Sequence, residues 1–152
     1  MTINKTEEYN WQKATKLDKV RFGGHASPNI TALKDHLIKR YGGVSVGIVN
    51  KRDIRGGGAP SSHYFGAAVD WRYPTRAICL TSMKWLVANS KELGIQMIAD
   101  YVGGCIWTPK RGWHKAQPNK HGMGQAWAKW IHIETTKSAW GNKTAITDRV
   151  SA

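Results

Sequence analysis

The residues best suited to chemistry lie between Ser61 and Asp70, in the order Ser-Ser-His-Tyr-Phe-Gly-Ala-Ala-Val-Asp. His63 stands seven residues before Asp70, and Gly66, Ala67, Ala68 and Val69, which lead into the carboxylate, are small or apolar. A carboxylate among apolar neighbours needs a partner, because burying it alone is costly. A divalent cation is one such partner, and His63 could supply a second ligand. One imidazole and one carboxylate do not complete a zinc site. A third protein ligand must come from elsewhere, with a fourth position left to water if the site is catalytic. If residues 67–71 form a strand, Ala68 and Asp70 point to one face, Val69 and Trp71 to the other. Gly56-Gly57-Gly58 and then Ala59-Pro60 deliver the chain to this stretch, a flexible run followed by a stiff entry.

Ser61, His63, Gly66, Ala68 and Asp70 match the pattern Ser-x-His-x-x-Gly-x-Ala-x-Asp at all five defined positions. In this the chain resembles the LAS zinc peptidases, a group of D-alanyl-D-alanine carboxypeptidases, vancomycin-resistance dipeptidases and phage endolysins that cut cell-wall peptides. The resemblance spans roughly residues 44–134. It implies a Zn2+ cofactor with His63 and Asp70 as two ligands and a histidine on a later strand as the third. The alternating segment Trp130-Ile131-His132-Ile133-Glu134 looks like that strand, which makes His132 the third ligand. On a strand, His132 and Glu134 share a face with Trp130. The resemblance also implies an arginine upstream of the first motif that holds a substrate carbonyl or carboxylate. Arg52 fits, with Arg55 in reserve, and Ser61 joins it as a substrate-binding residue. Zinc in such a site lowers the pKa of its water and polarises a peptide carbonyl, and the resulting oxyanion would be held by the metal and Arg52.

The chain departs from the family at the general base. The carboxypeptidase branch has a Glu three residues before the last histidine ligand, where this chain has Lys129. Another branch has a His two residues before it, where this chain has Trp130. Glu134, His121 and His114 are left as bases, with Glu134 first and His121 in reserve. Glu134 could instead orient a ligand from behind.

The elements that must position these groups follow from punctuation and period. Residues 1–19 are polar apart from Trp11 and read as a loosely held lead-in, with room for a short helix. Arg21-Phe22-Gly23-Gly24 reads as a turn. Ser27-Pro28 starts a helix that Gly42-Gly43 stops, with Ile30, Leu33, Leu37 and Ile38 at helical spacing. His36 falls inside it, at the edge of the core or on the surface. Residues 44–49 read as a strand, and Thr81 caps a helix running to Leu93 with Gly94 as its stop. Residues 95–101 alternate as a second strand. Residues 108–129 form a long basic loop rich in Trp and Gly, a wall of the cleft beside the site. Trp140 pins a polar C-terminal stretch back onto the body. The reading is a single 1–152 zinc peptidase domain of α+β class. Its small, mostly antiparallel sheet carries the zinc site and is packed by two main helices; that sheet topology is implied by the resemblance.

Composition bounds the partners. The formal charge is +13, from 23 Lys and Arg against 10 Asp and Glu, so an anionic partner is favoured. Nucleic acid is one such partner and a bacterial wall is another; the spread of charge along the chain does not choose between them. No stretch reads as a membrane span or a signal peptide. Cys79 and Cys105 form no Cys-x-x-Cys pair, which excludes a zinc ribbon and suits reduced, buried thiols. The expectation is a monomeric peptidoglycan peptidase, similar to a phage endolysin or its catalytic domain. It would be made in the host cytoplasm without a signal peptide and released to act on the cell wall. A zinc-containing but inactive wall-binding module, as hedgehog domains illustrate, is the alternative. A basic nucleic-acid-binding domain ranks third, because it leaves the Ser61–Asp70 pattern unused.

Overall fold

The structure, a computed structural model, describes residues 8–48 and 62–142. Arg52, Arg55, Ser61 and the glycine run at 56–58 lie outside the described residues. Four α-helices accompany one six-stranded sheet. The helices are α1 (Lys16–Phe22), α2 (Pro28–Tyr41), α3 (Arg76–Ala88) and α4 (Ser90–Leu93). The strands are β1 (Val44–Gly47), β2 (Ala68–Arg72), β3 (Ile95–Asp100), β4 (Cys105–Thr108), β5 (Gly112–Lys115) and β6 (Ile131–Thr135). Their order across the sheet is β1-β2-β6-β3-β4-β5, and every pairing is antiparallel. The expected α+β fold with a small antiparallel sheet is what forms.

The two faces of the sheet have different tasks, and alternation assigns them. Val69, Trp71, Ile98, Trp107, Ile131 and Ile133 face α2 and α3, where Ile30, Leu33, Leu37, Met83 and Leu86 close a fully apolar core. Each large side chain buried there contributes about 1.5–3 kcal/mol. Residues in the intervening positions, including Asp70 and His132, face the other way. On the core side Arg76 makes a two-pronged ion pair with Asp100, at 2.8 and 2.6 Å, which satisfies the buried carboxylate at the end of β3.

Helix α2 starts as its sequence demands: the Ser27 hydroxyl accepts from the Ile30 N–H at 2.8 Å, and Gly42 ends the helix at φ 82°. Helix α3 starts five residues before the expected cap at Thr81. Thr75, which follows Pro74, accepts from the Ile78 N–H instead. The expected run to Leu93 is broken at Asn89, whose side chain turns back to the Trp85 carbonyl at 2.9 Å. Its last turn is the separate α4, stopped by Gly94.

Residues 8–19 are not loosely held. Trp11 is 2% exposed, stacks on Phe65 and donates from its indole to the Thr135 carbonyl at 3.0 Å. It anchors a second apolar cluster with Tyr9, Phe22, Tyr64, Phe65 and Trp140. Arg21 and Phe22, expected in a turn, close α1. Trp140 pins the chain as expected, donating to the Phe65 carbonyl at 2.7 Å. Part of the expected 108–129 loop is strand β5, hairpinned onto β4. His36 is buried, packed on Trp85 with ring centroids 4.8 Å apart. Cys79 is buried and Cys105 half-buried, both as free thiols.

Candidate functional site

Two local features deliver the site. A short 3-10 turn, Ser62–Phe65, hands His63 toward the sheet, and β2 follows immediately with Asp70. Between them Gly66 adopts φ 60°, and a Cβ there would stand 1.9 Å from the His25 carbonyl oxygen. Only glycine fits, so the Gly in the sequence pattern is explained by close backbone approach. Ala68 is completely buried and lies opposite Glu134 in the β2–β6 register. That register places Asp70 directly opposite His132.

Three ligand atoms converge. His63 Nε2 lies 3.3 Å from Asp70 Oδ1. His132 Nδ1 lies 3.2 Å from the same oxygen, and 3.2 Å from His63 Nε2. A tetrahedral zinc ion with bonds of about 2.0–2.1 Å separates its ligand atoms by about 3.3 Å. The residues thus fit such an ion in donor type, number and spacing. Among the described residues this is the one such group of histidine, cysteine and acidic side chains.

The distal nitrogens are engaged in a way that suits this convergence. His63 Nδ1 is 2.8 Å from the Ile48 carbonyl oxygen, which can only accept, so that nitrogen carries the proton and Nε2 keeps its lone pair. His132 Nε2 is 3.3 Å from Glu134 Oε1 and 3.5 Å from the Ser62 hydroxyl. Donation from Nε2 to Glu134 leaves His132 Nδ1 to face Asp70. Glu134 Oε2 accepts from the Gln96 amide at 2.7 Å.

The charges are strongly coupled. Burial alone would raise the Asp70 carboxyl, but the His132 and His63 imidazoles beside it outweigh that and hold the group well below the usual carboxylate range. Burial likewise works against a charged His132, yet Asp70 and Glu134 on either side of the ring raise its pKa. Glu134 is lowered: burial opposes the charge, while His132, Gln96 and Ser62 support it.

These groups lie in a cleft of about 850 Å³, whose walls include Tyr9, Gln12, Tyr101, His121, Trp127 and Trp130. His121 reaches the cleft from the loop after β5, with its backbone N–H held by the Asn119 side chain at 2.8 Å. Trp130 packs against Tyr101 and Trp127. His114, on β5, bonds to the Gly112 carbonyl at 3.0 Å and is absent from the cleft wall.

Of the expected site residues, His63, Asp70, His132 and Glu134 come together, and His121 shares their cleft. Ser62 and Gln96 touch this group and were not singled out by sequence reasoning. Ser62 was adjacent to the residue the pattern marked. Gln96 carried no signal, because a polar residue in an alternating strand reads as solvent-facing; a bulge between Ile95 and Met97 helps turn it to the site. No helix of the described residues is long and apolar enough to cross a membrane. Comparison of the chain with protein-family models, with curated proteins and with solved structures gives no match to any of them.

Proposed function

We propose that this protein is a zinc-dependent peptidase that hydrolyses stem-peptide or cross-link amide bonds of bacterial peptidoglycan. The observation that carries the reading is the triangle of His63 Nε2, Asp70 Oδ1 and His132 Nδ1, with edges of 3.2–3.3 Å. Zinc bound there would supply a Lewis acid for the scissile carbonyl and lower the pKa of water to near neutrality. The chain's own residues do the rest. Ile48 and Glu134 fix the orientation of the two imidazoles. The aromatic wall of Tyr101, Trp127 and Trp130 shapes the cleft.

Glu134 is tied to His132 by one oxygen and to Gln96 by the other, which favours an orienting role over that of base. Proton transfer then falls to His121, since imidazole is the side chain most often used for it. The substrate class rests on the resemblance carried by Ser61 to Asp70, and the net charge of +13 suits an anionic wall.

The test is a turbidity assay on purified walls. Clearing that chelator abolishes and zinc restores supports the peptidase. Zinc retention with tight wall binding and no clearing supports the inactive module instead. That second reading draws on Lys129 and Trp130, which occupy the positions where the resembled family has its base. Clearing should also slow at high salt, because exposed charges are screened.

A further inference from the structure

The N-terminal segment and the candidate metal centre share one side chain. The Tyr9 N–H donates to Gln96 Oε1 at 2.7 Å, and Gln96 Nε2 donates back to the Tyr9 carbonyl at 2.9 Å. The same Nε2 donates its other hydrogen to Glu134 Oε2 at 2.7 Å. Glu134 Oε1 then meets His132 Nε2, and His132 Nδ1 meets Asp70. Gln96 is 4% exposed, so both of its donors and its acceptor are used inside the protein, where an unmade bond would be costly.

We infer that Gln96 is a positioning residue: it locks the Glu134 carboxylate against His132 and makes the segment around Tyr9 part of the metal centre. This rests on the metal-site reading above. A carboxylate that accepts at one oxygen alone can rotate about its terminal torsion, which is broad. With Oε2 held by Gln96, Oε1 stays on His132 Nε2, and that fixes Nδ1 toward Asp70 and His63. The main-chain clasp on Tyr9 holds the Gln96 amide in turn. Tyr9 is itself held, its hydroxyl donating to Asp18 and its neighbour Trp11 buried against Phe65. Residues Glu8, Tyr9, Asn10 and Gln12 line the cleft, so a cleft wall and a metal ligand are coupled through one amide.

The experiment measures Zn2+ affinity of the full chain by chelator competition, with cobalt substitution as a spectroscopic readout of ligand geometry. Four proteins are compared: the unaltered chain, Gln96→Met, Glu134→Ala and the double variant. Gln96→Met keeps length and volume and removes all three bonds. It should weaken Zn2+ binding about tenfold and perturb the cobalt spectrum. In the Glu134→Ala background the same change should cost less than about twofold, because the group it acts through is gone. Should Gln96→Met not fold, Gln96→Thr, with its higher strand preference, replaces it in the cycle. Unchanged affinity in the single variant overturns the inference alone, as does an equal loss in both backgrounds, which would mark a merely structural role. An unaltered chain that binds no Zn2+ overturns the metal-site reading together with it.

Discussion

The Nε2 of His63 lies 3.2 Å from the Nδ1 of His132, although 69 positions separate the two residues in the chain. Two imidazole nitrogens at that distance cannot both carry a proton toward each other, and Asp70 Oδ1 sits 3.2–3.3 Å from each. Only a shared proton or a cation satisfies all three atoms together.

Metal loading should therefore stabilise the fold. Free zinc at a thousandfold excess over its Kd adds about 4 kcal/mol to the native state. For a chain of this size that raises Tm by about 10 °C. Thermal melts with zinc and with chelator check it. His63→Ala, Asp70→Asn and His132→Ala should each abolish the shift, and a variant that keeps it would remove that residue from the ligand set.

Glu134→Gln separates orientation from proton transfer. If Glu134 orients His132, the variant should bind zinc about 10–100-fold more weakly and regain most of its turnover at saturating zinc. Unchanged zinc affinity with turnover down about a hundredfold or more would instead make Glu134 the base.

His121→Ala should retain zinc and lose about 10²–10⁴-fold in kcat on wall fragments. Its side chain is exposed, so stability should hold within about 0.5 kcal/mol. Full turnover in this variant would return the base to another group.

Asp18 gives an acid-sensitive contribution to stability. The Tyr9 hydroxyl hydrogen bond lowers its pKa; burial opposes that, and Lys137, 3.2 Å away, supports it. A folded-state pKa below the unfolded value of about 3.9 means that the stabilisation is present above that pH and is lost as pH falls through the folded value. Asp18→Asn should cost about 1–3 kcal/mol at pH 7, and the gap to the unaltered chain should narrow below about pH 4. Urea midpoints at pH 7, 5 and 3.5 measure it.

His36 acts with the same sign in a different range. Burial lowers its pKa, Arg40 and Lys39 add to this, and neither ring nitrogen has a hydrogen-bond partner among the described residues. The neutral ring is the folded form, so its stability is available above the unfolded pKa of about 6.5 and declines below it. His36→Phe, which keeps a ring against Trp85, should stabilise the protein by about 1 kcal/mol at pH 7 and by more at pH 5. An equal or negative effect at pH 5 would show that the buried imidazole is solvated.

Much of the site was legible because its signals are local. His63 and Asp70 sit in one short stretch, and period two on β2 sends Asp70 away from the core that receives Val69 and Trp71. The start of α2 was legible for the same reason, since Ser27 and Pro28 act on the turn they begin. The start of α3 was misplaced because Thr75 and Thr81 are both chemically able to cap, and only packing of the helix on the sheet chooses. The tight hold on residues 8–19 was invisible, because Trp11 finds its partner carbonyl at Thr135, 124 positions away.

From residue types and spacing came the His63–Asp70 pair and the strand faces, while His132 as their third partner and the antiparallel sheet were implied by the resemblance. Three things belonged to the folded chain: which nitrogen of each imidazole faces Asp70, that Glu134 is engaged from both sides, and that Gln96 joins the N-terminal segment to it. The reason is physical. Alternation dictates which side a residue leaves a strand, but the partner it meets is set by β2–β6 register, a bulge in β3 and packing between distant segments, none of which has a local pattern.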